Sequence, residues 1–140
     1  MYRQKSPSSV PSRLRGKRVL VVDDWPEVTS LISEILSQSG AQVEAVTDGY
    51  QAIQLLSAQP YDLLILDLGM PHPDGWEILD FMRQDAPEAL DHTIVLTGRR
   101  YDPQTRQRLA AEELAVLYKP FSLEALLDLA VRALGRRPAA

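Results

Sequence analysis

The 140-residue chain contains no cysteine, so its fold has neither a disulfide bond nor a zinc-thiolate site. No apolar run approaches the length of a membrane-spanning helix, and the start of the chain lacks the apolar core of a signal peptide. A chain of this length fits one domain. These absences favour a cytoplasmic, single-domain protein that does not enter a membrane.

Acidic residues are missing from the start of the chain, where none precedes Asp23. Basic residues are frequent there, together with serine and proline: Arg3, Lys5, Arg13, Arg15, Lys17 and Arg18. This composition predicts a disordered basic tail over residues 1–16, and residues 136–140 form a second short tail. A basic tail attracts an acidic partner or nucleic acid, or it serves only solubility, which we favour. The rest of the chain is acidic, which argues against nucleic-acid binding by the folded domain.

Five short apolar runs alternate with segments of helical periodicity. The runs predicted to form strands are residues 18–22, 42–46, 63–66, 93–96 and 114–117. The second run is the more polar one, so we expect it near an edge of the sheet. The fourth helix is predicted over residues 103–113, with a thin apolar stripe. This alternation predicts an α/β fold, in which a five-stranded parallel sheet lies between two layers of helices.

Polar residues with related chemistry stand where four of these runs end. They are Asp23 and Asp24, Asp67, Thr97, and Lys119. In an open parallel sheet, ligand sites form outside the carboxyl ends of the strands, so we expect these side chains to meet. Three carboxylates suit a hard cation such as Mg²⁺, and a hydroxyl with an ammonium suits a phosphoryl group. A buried carboxylate such as that of Asp67 can also act as a nucleophile towards phosphorus.

Each of these residues, taken singly, has an ordinary explanation as a turn acid, a cap or a surface lysine. The complete set, in this order, does not. The segments VLVVDD, LLILDLGMPHPDG, IVLTG and YKPFS together resemble the signature of response-regulator receiver domains. The resemblance covers nearly all of residues 17–135. It implies the flavodoxin-like (βα)5 fold with strand order 2-1-3-4-5.

The resemblance also implies roles for individual residues. Asp67 matches the phosphoacceptor, which takes a phosphoryl group from a histidine of a sensor histidine kinase or a phosphotransfer protein. Asp24 matches the direct Mg²⁺ ligand, Asp23 the acid that acts through water, and the backbone carbonyl of Gly69 a further protein ligand.

Two more positions match groups that contact the phosphoryl group, namely Thr97 through its hydroxyl and Lys119 through its amine. The Lys119-Pro120 bond matches a cis peptide of the family.

The resemblance also implies how the signal is passed on. A receiver catalyses only its own phosphorylation and dephosphorylation, and it passes the signal to a downstream protein effector or through a homodimer. The expected output face includes the last helix and a basic cluster: Arg99, Arg100, Tyr101, Arg106 and Arg108.

Three other functions remain as alternatives. A degenerate receiver would bind partners without phosphorylation, which the intact set of site residues argues against. A phosphohydrolase of the haloacid-dehalogenase type would place an acid two residues after Asp67, where this chain has Gly69. A flavodoxin-like cofactor binder would need a phosphate-cradling loop after the first strand, where Asp23 and Asp24 would repel phosphate.

Several positions depart from the common receiver pattern. Val116 stands where many receivers carry an aromatic switch residue, which puts the usual activation coupling in question. Gly69 and Arg99 occupy positions that tune hydrolysis of the acyl phosphate, and they predict a long-lived phosphoryl state. Residues 111–115 lack a common Gly-Ala pair, which predicts an extended or reshaped fourth helix. Trp76 lies on an apolar helix face and is predicted to belong to the core.

Overall fold

Five parallel strands and five α-helices alternate in the computed structural model, which describes residues 12–98 and 102–135. The strands are β1 (Arg18–Val22), β2 (Gln42–Val46), β3 (Leu63–Asp67), β4 (Thr93–Thr97) and β5 (Ala115–Tyr118). The helices are α1 (Pro26–Gln38), α2 (Gly49–Ala58), α3 (Gly75–Asp85), α4 (Pro103–Ala111) and α5 (Leu123–Gly135). The sheet order is β2-β1-β3-β4-β5, so the predicted flavodoxin-like fold is confirmed, with polar β2 at an edge.

The core has two parts because side chains of the central strands alternate between the faces of the sheet. Val19 and Val21 pack on one face with residues of α1 and α5, whereas Leu20 and Val22 pack on the other with residues of α2, α3 and α4. Every residue of β3 (Leu63–Asp67) is buried, as expected for a strand covered on both faces. The three-layer arrangement predicted from the alternation is therefore present.

The link between α4 and β5 differs from the prediction by a few residues. The helix ends at Ala111 instead of continuing to residue 113, and the strand begins at Ala115. The reason is a tight helix end, in which Glu113 adopts a left-handed conformation with φ of 56°. The N–H of Leu114 donates to the carbonyl of Leu109 across this turn. A six-residue 3-10 segment, Pro87–His92, precedes β4 and was not predicted.

The amino-terminal boundary also needs correction. Residues 12–16, predicted to belong to the tail, form a turn, and Leu14 within it is only 2% exposed in the core beside α1 and α5. The Ser12 hydroxyl donates to the carbonyl of Ser39 at 2.8 Å, and the N–H of Gly16 donates to the carbonyl of Gly40 at 2.8 Å. The predictions for residues 1–11 and 136–140 lie outside the described residues.

Within the described ranges, no helix combines the length and the hydrophobicity that crossing a bilayer requires.

Replacing Leu14 by alanine should lower the free energy of unfolding by about 2–4 kcal/mol, because it removes buried methyl groups and leaves a cavity. Urea unfolding followed by circular dichroism measures this change. Leu31→Ala is the matched control, since Leu31 is 51% exposed on α1 and its replacement should change the free energy by less than about 0.5 kcal/mol. Equal effects of the two substitutions would contradict the packed position of Leu14.

Candidate functional site

The predicted site residues lie at the carboxyl ends of four strands, β1, β3, β4 and β5. Asp23 follows β1 directly, Asp67 and Thr97 are the last residues of β3 and β4, and Lys119 follows β5. β3 lies between β1 and β4 in the sheet, which places Asp67 at the centre of this edge. Polar groups from distant parts of the chain thus meet because parallel strands end on the same side.

Three carboxylates converge at this edge. One oxygen each from Asp23, Asp24 and Asp67 lies within 4.8 Å of the other two. Asp23 is fully buried, Asp67 is 6% exposed, and Asp24 is partly exposed. The backbone N–H of Trp25 donates to Asp23 Oδ1 at 3.0 Å and fixes that carboxylate. The cluster therefore offers oxygen ligands, the type that hard divalent cations take, on a side reached by solvent through Asp24.

Lys119 supplies positive charge to this cluster. Its Nζ donates to Asp23 Oδ2 at 2.8 Å and lies 3.7 Å from Asp67 Oδ1. The backbone N–H of Lys119 donates to the carbonyl of Thr97 at 2.9 Å, and the Lys119-Pro120 bond is cis, as the resemblance implied. One ammonium group thus contacts two carboxylates and leaves the acidic cluster with excess negative charge.

Asp67 is the acid whose ionisation the structure disfavours. Burial raises the pKa of the Asp67 carboxyl above its ordinary value, and the nearby charges of Asp23 and Asp24 raise it further. The N–H of Gly69, which donates to Asp67 Oδ1 at 3.1 Å, and the Lys119 ammonium lower the pKa but do not cancel the rise. A bound cation would remove this penalty, since it would favour the ionised carboxylate.

A cavity of about 160 Å³ lies beside Asp67. Asp67 and Thr97 form its wall towards the sheet, whereas Trp76 of α3 and Thr105 of α4 line it from the helical layer. Thr97 is 3% exposed and Thr105 is 8% exposed. The cavity provides room beside Asp67 for a covalently attached group and ordered water.

Gly75 explains how α3 comes so close to the site. A Cβ atom on this residue would lie 2.5 Å from the carbonyl oxygen of Asp67 and 2.7 Å from Cα of Leu68, distances that no side chain tolerates. The helix therefore begins directly against the end of β3, with Asp74 and Glu77 forming a capping box at its first turn. The next residue, Trp76, is therefore close enough to line the cavity.

The prediction that Trp76 is a core residue is therefore only half right. Its ring is partly buried and packs against the core of the α2–α4 face, but it also lines the cavity beside Asp67. Thr105 was not singled out, because its role depends on where α4 crosses the sheet edge and a single threonine in a polar helix carries no such signal. Trp76 had a usable signal, since it directly follows the glycine that ends the loop after Asp67.

The remaining departures have mixed outcomes. Val116, at the position where many receivers carry an aromatic residue, is half-buried and packs against the same α2–α4 core. The predicted ligand role of the Gly69 carbonyl stays a prediction; its N–H contacts Asp67 as described. Arg99, Arg100 and Tyr101 lie outside the described residues.

The family model and the related proteins all point to the same family. A family model described as the response regulator receiver domain matches residues 19–131. The transcriptional regulatory protein TcrA of Mycobacterium tuberculosis is 32% identical over 133 residues, which cover 95% of this chain and 51% of that protein. The chain thus spans about half the length of this curated relative.

Solved structures show the same likeness. The receiver domain of the sensor histidine kinase PA1611 from Pseudomonas aeruginosa, described with a magnesium ion coordinated in its active-site cleft, superposes with a TM-score of 0.77 at 28% identity. The match covers 86% of this chain and 99% of that one. The beryllofluoride-activated NtrC4 receiver domain, described as a dimer, gives a TM-score of 0.74 at 31% identity over 84% of this chain and 95% of that one.

Replacing Asp67 by asparagine should raise the free energy of unfolding near neutral pH in buffer containing a chelator. A raised pKa means that the folded state binds the Asp67 proton more tightly than the unfolded state, so this carboxyl costs stability as pH rises through its folded pKa. The difference between variant and parent should shrink as pH falls towards 3.8, the ordinary value. Urea unfolding at a series of pH values measures it.

Glu34→Gln is the control for loss of a negative charge, because Glu34 is exposed on α1. A pH-dependent gain that is the same for both variants would contradict the proposed effect of burial on Asp67.

Proposed function

Because the chain belongs to the family of response regulator receiver domains, we propose that Asp67 accepts a phosphoryl group in the presence of Mg²⁺. The donor is a histidine of a sensor histidine kinase or a phosphotransfer protein, and the phosphorylated domain signals to a downstream protein effector. One observation carries the proposal: the buried carboxylate of Asp67 lies beside two other carboxylates and the Lys119 ammonium, and it borders an open cavity.

The proposed transfer needs a nucleophile and groups that stabilise the negative charge of the phosphoryl oxygens. A carboxylate oxygen of Asp67 attacks the phosphorus of phosphohistidine, forming an O–P bond as the P–N bond breaks. The phosphohistidine reacts with its other ring nitrogen protonated, so the histidine leaves as neutral imidazole. Lys119, 3.7 Å from Asp67 Oδ1, neutralises charge on the transferred group, and the Thr97 hydroxyl donates to one of its oxygens.

The residues at the edge fit a magnesium ion. Asp23, Asp24, Asp67 and the carbonyl of Gly69 would hold it, because their chemistry is all oxygen and the three carboxylate oxygens already converge within 4.8 Å. When bound, Mg²⁺ supplies charge neutralisation for the phosphoryl oxygens. The magnesium described in the PA1611 receiver supports this assignment.

The proposed chemistry ends at the phosphorylated aspartate, so the domain acts as a switch and turns over no external substrate. The intact carboxylate cluster favours this function over a phosphorylation-independent binding module. A cytoplasmic location and an interaction with a sensor kinase belong to the same proposal. The dimer described for the NtrC4 receiver supports homodimerisation as a second way to transmit the signal.

Incubation with acetyl phosphate and Mg²⁺ should add the mass of one phosphoryl group to the protein, measured by intact-protein mass spectrometry. The gain should be absent in Asp67→Asn, which lacks the nucleophile, and in buffer with EDTA. Glu34→Gln, which removes an acid away from the site, should be phosphorylated like the parent. A gain that persists in Asp67→Asn would contradict the assignment of the phosphoacceptor.

The phosphoryl group should be lost slowly, because Gly69 has no side chain with which to orient an attacking water molecule. Gly69→Asn should shorten the lifetime severalfold relative to Gly69→Ala, since only asparagine adds a polar group. A Cβ here would meet nothing closer than Asp67 Oδ1 at 3.7 Å, an ordinary contact, so both variants should fold. Decay of the phosphorylated mass after removal of the donor gives both lifetimes, and equal values would count against the hypothesis.

A further inference from the structure

The cavity beside Asp67 is connected to α4 through one aromatic residue and one arginine. The guanidinium carbon of Arg108, on α4, lies 3.9 Å from the ring centroid of Trp76, on α3. This is the geometry of a cation–π contact. Trp76 also lines the cavity that Asp67 and Thr97 border. One side chain therefore borders the space beside Asp67 and also contacts a cation of α4.

Arg108 belongs to a network of charged side chains at the end of α4 and on the neighbouring helix α3. Its Nε lies 3.6 Å from Glu112 Oε2, and its Nη2 lies 4.0 Å from Asp80 Oδ1. Arg83 of α3 contacts the same two acids, Asp80 at 2.5 Å and Glu112. Two arginines and two acids thus form a closed bridge between the helices, with the Trp76 ring under one of the arginines.

Among the residues that the structure describes, few buried side chains attach α4 to the rest of the domain. Only Thr105 and Leu109 are buried on this nine-residue helix, whereas every residue of the neighbouring strand β4 is buried. Thr105 itself lines the cavity, and its hydroxyl donates to Asp102 at 2.8 Å on the same helix. The position of α4 therefore depends on Leu109, on the cavity wall and on the Arg108 bridge.

We propose that the Trp76–Arg108 contact couples occupancy of the Asp67 cavity to the position of α4. A group attached to Asp67 occupies space bordered by Trp76 and Thr105, and its contact with the ring weakens the contact between the ring and Arg108. The bridge stabilises the arrangement with an empty cavity, so filling the cavity and keeping the bridge oppose each other. This inference rests on the proposed phosphorylation of Asp67 and names the residues through which that site would act.

The test uses beryllofluoride with Mg²⁺ as a stable phosphoryl mimic and the Trp25→Phe protein, in which Trp76 is the remaining tryptophan. Binding is measured separately, from the fluorine resonance of bound beryllofluoride. Binding should change the emission and acrylamide quenching of Trp76, and no change should occur in Trp25→Phe/Asp67→Asn. Bound beryllofluoride with unchanged Trp76 emission would overturn the coupling alone.

The second measurement is the apparent affinity for beryllofluoride. Arg108→Gln should increase it about twofold to fivefold, because a cation–π contact that opposes filling of the cavity is lost. Arg106→Gln removes the same charge from an exposed position on the same helix and should leave the affinity unchanged. In a Trp76→Leu background, Arg108→Gln should no longer have an effect.

An equal gain in Arg106→Gln and Arg108→Gln would assign the effect to net charge and overturn the coupling. Absence of any bound fluorine resonance in the parent protein would overturn the proposed function and this inference with it.

Discussion

Two carboxylates lie almost completely out of water at the carboxyl edge of the sheet, and a single ammonium group contacts both. Asp23 is fully buried and Asp67 is 6% exposed, and a buried carboxylate is costly unless a partner compensates its charge. The Lys119 ammonium donates a hydrogen bond to Asp23, although Lys119 follows the edge strand β5 and Asp23 follows β1. Breaking a fully buried pair costs on the order of 3–5 kcal/mol, and the cost is lower here because the Lys119 side chain is 28% exposed. This ion pair holds together strand ends that are separated by β3 and β4 in the sheet.

The same concentration of charge makes the edge chemically useful. Burial raises the pKa of Asp67, and the charges of Asp23 and Asp24 raise it further. Because one ammonium does not balance three nearby carboxylates, the cluster favours a divalent cation. A divalent cation would balance the excess negative charge, and a phosphoryl group added to Asp67 would lie near Lys119 and the cavity. Stability and function thus oppose each other at one residue, as is common at functional sites.

Much of the fold could be predicted from periodicity and strand composition. The bounds of β1 and β2 were predicted as observed, and the polar pattern of β2 indicated its edge position. Leu14 could not be placed, because a single leucine among basic residues gives no periodic signal. The end of α4 was missed because Glu113 takes a left-handed conformation that glycine usually adopts. In both cases a tertiary contact or a local turn outweighed the composition of the segment.

The candidate site divides in the same way. The sequence by itself determined which acids, hydroxyl and ammonium follow the strands, since apolar runs and the residues that end them are local features. Only the tertiary structure decided that Asp23 would pair with Lys119 and that Trp76 would both line the Asp67 cavity and contact Arg108. Those contacts join strands and helices far apart in the chain, and their distances depend on how the helices pack across the sheet. Local sequence patterns carry no information about that packing, because it results from the fit of all the layers together.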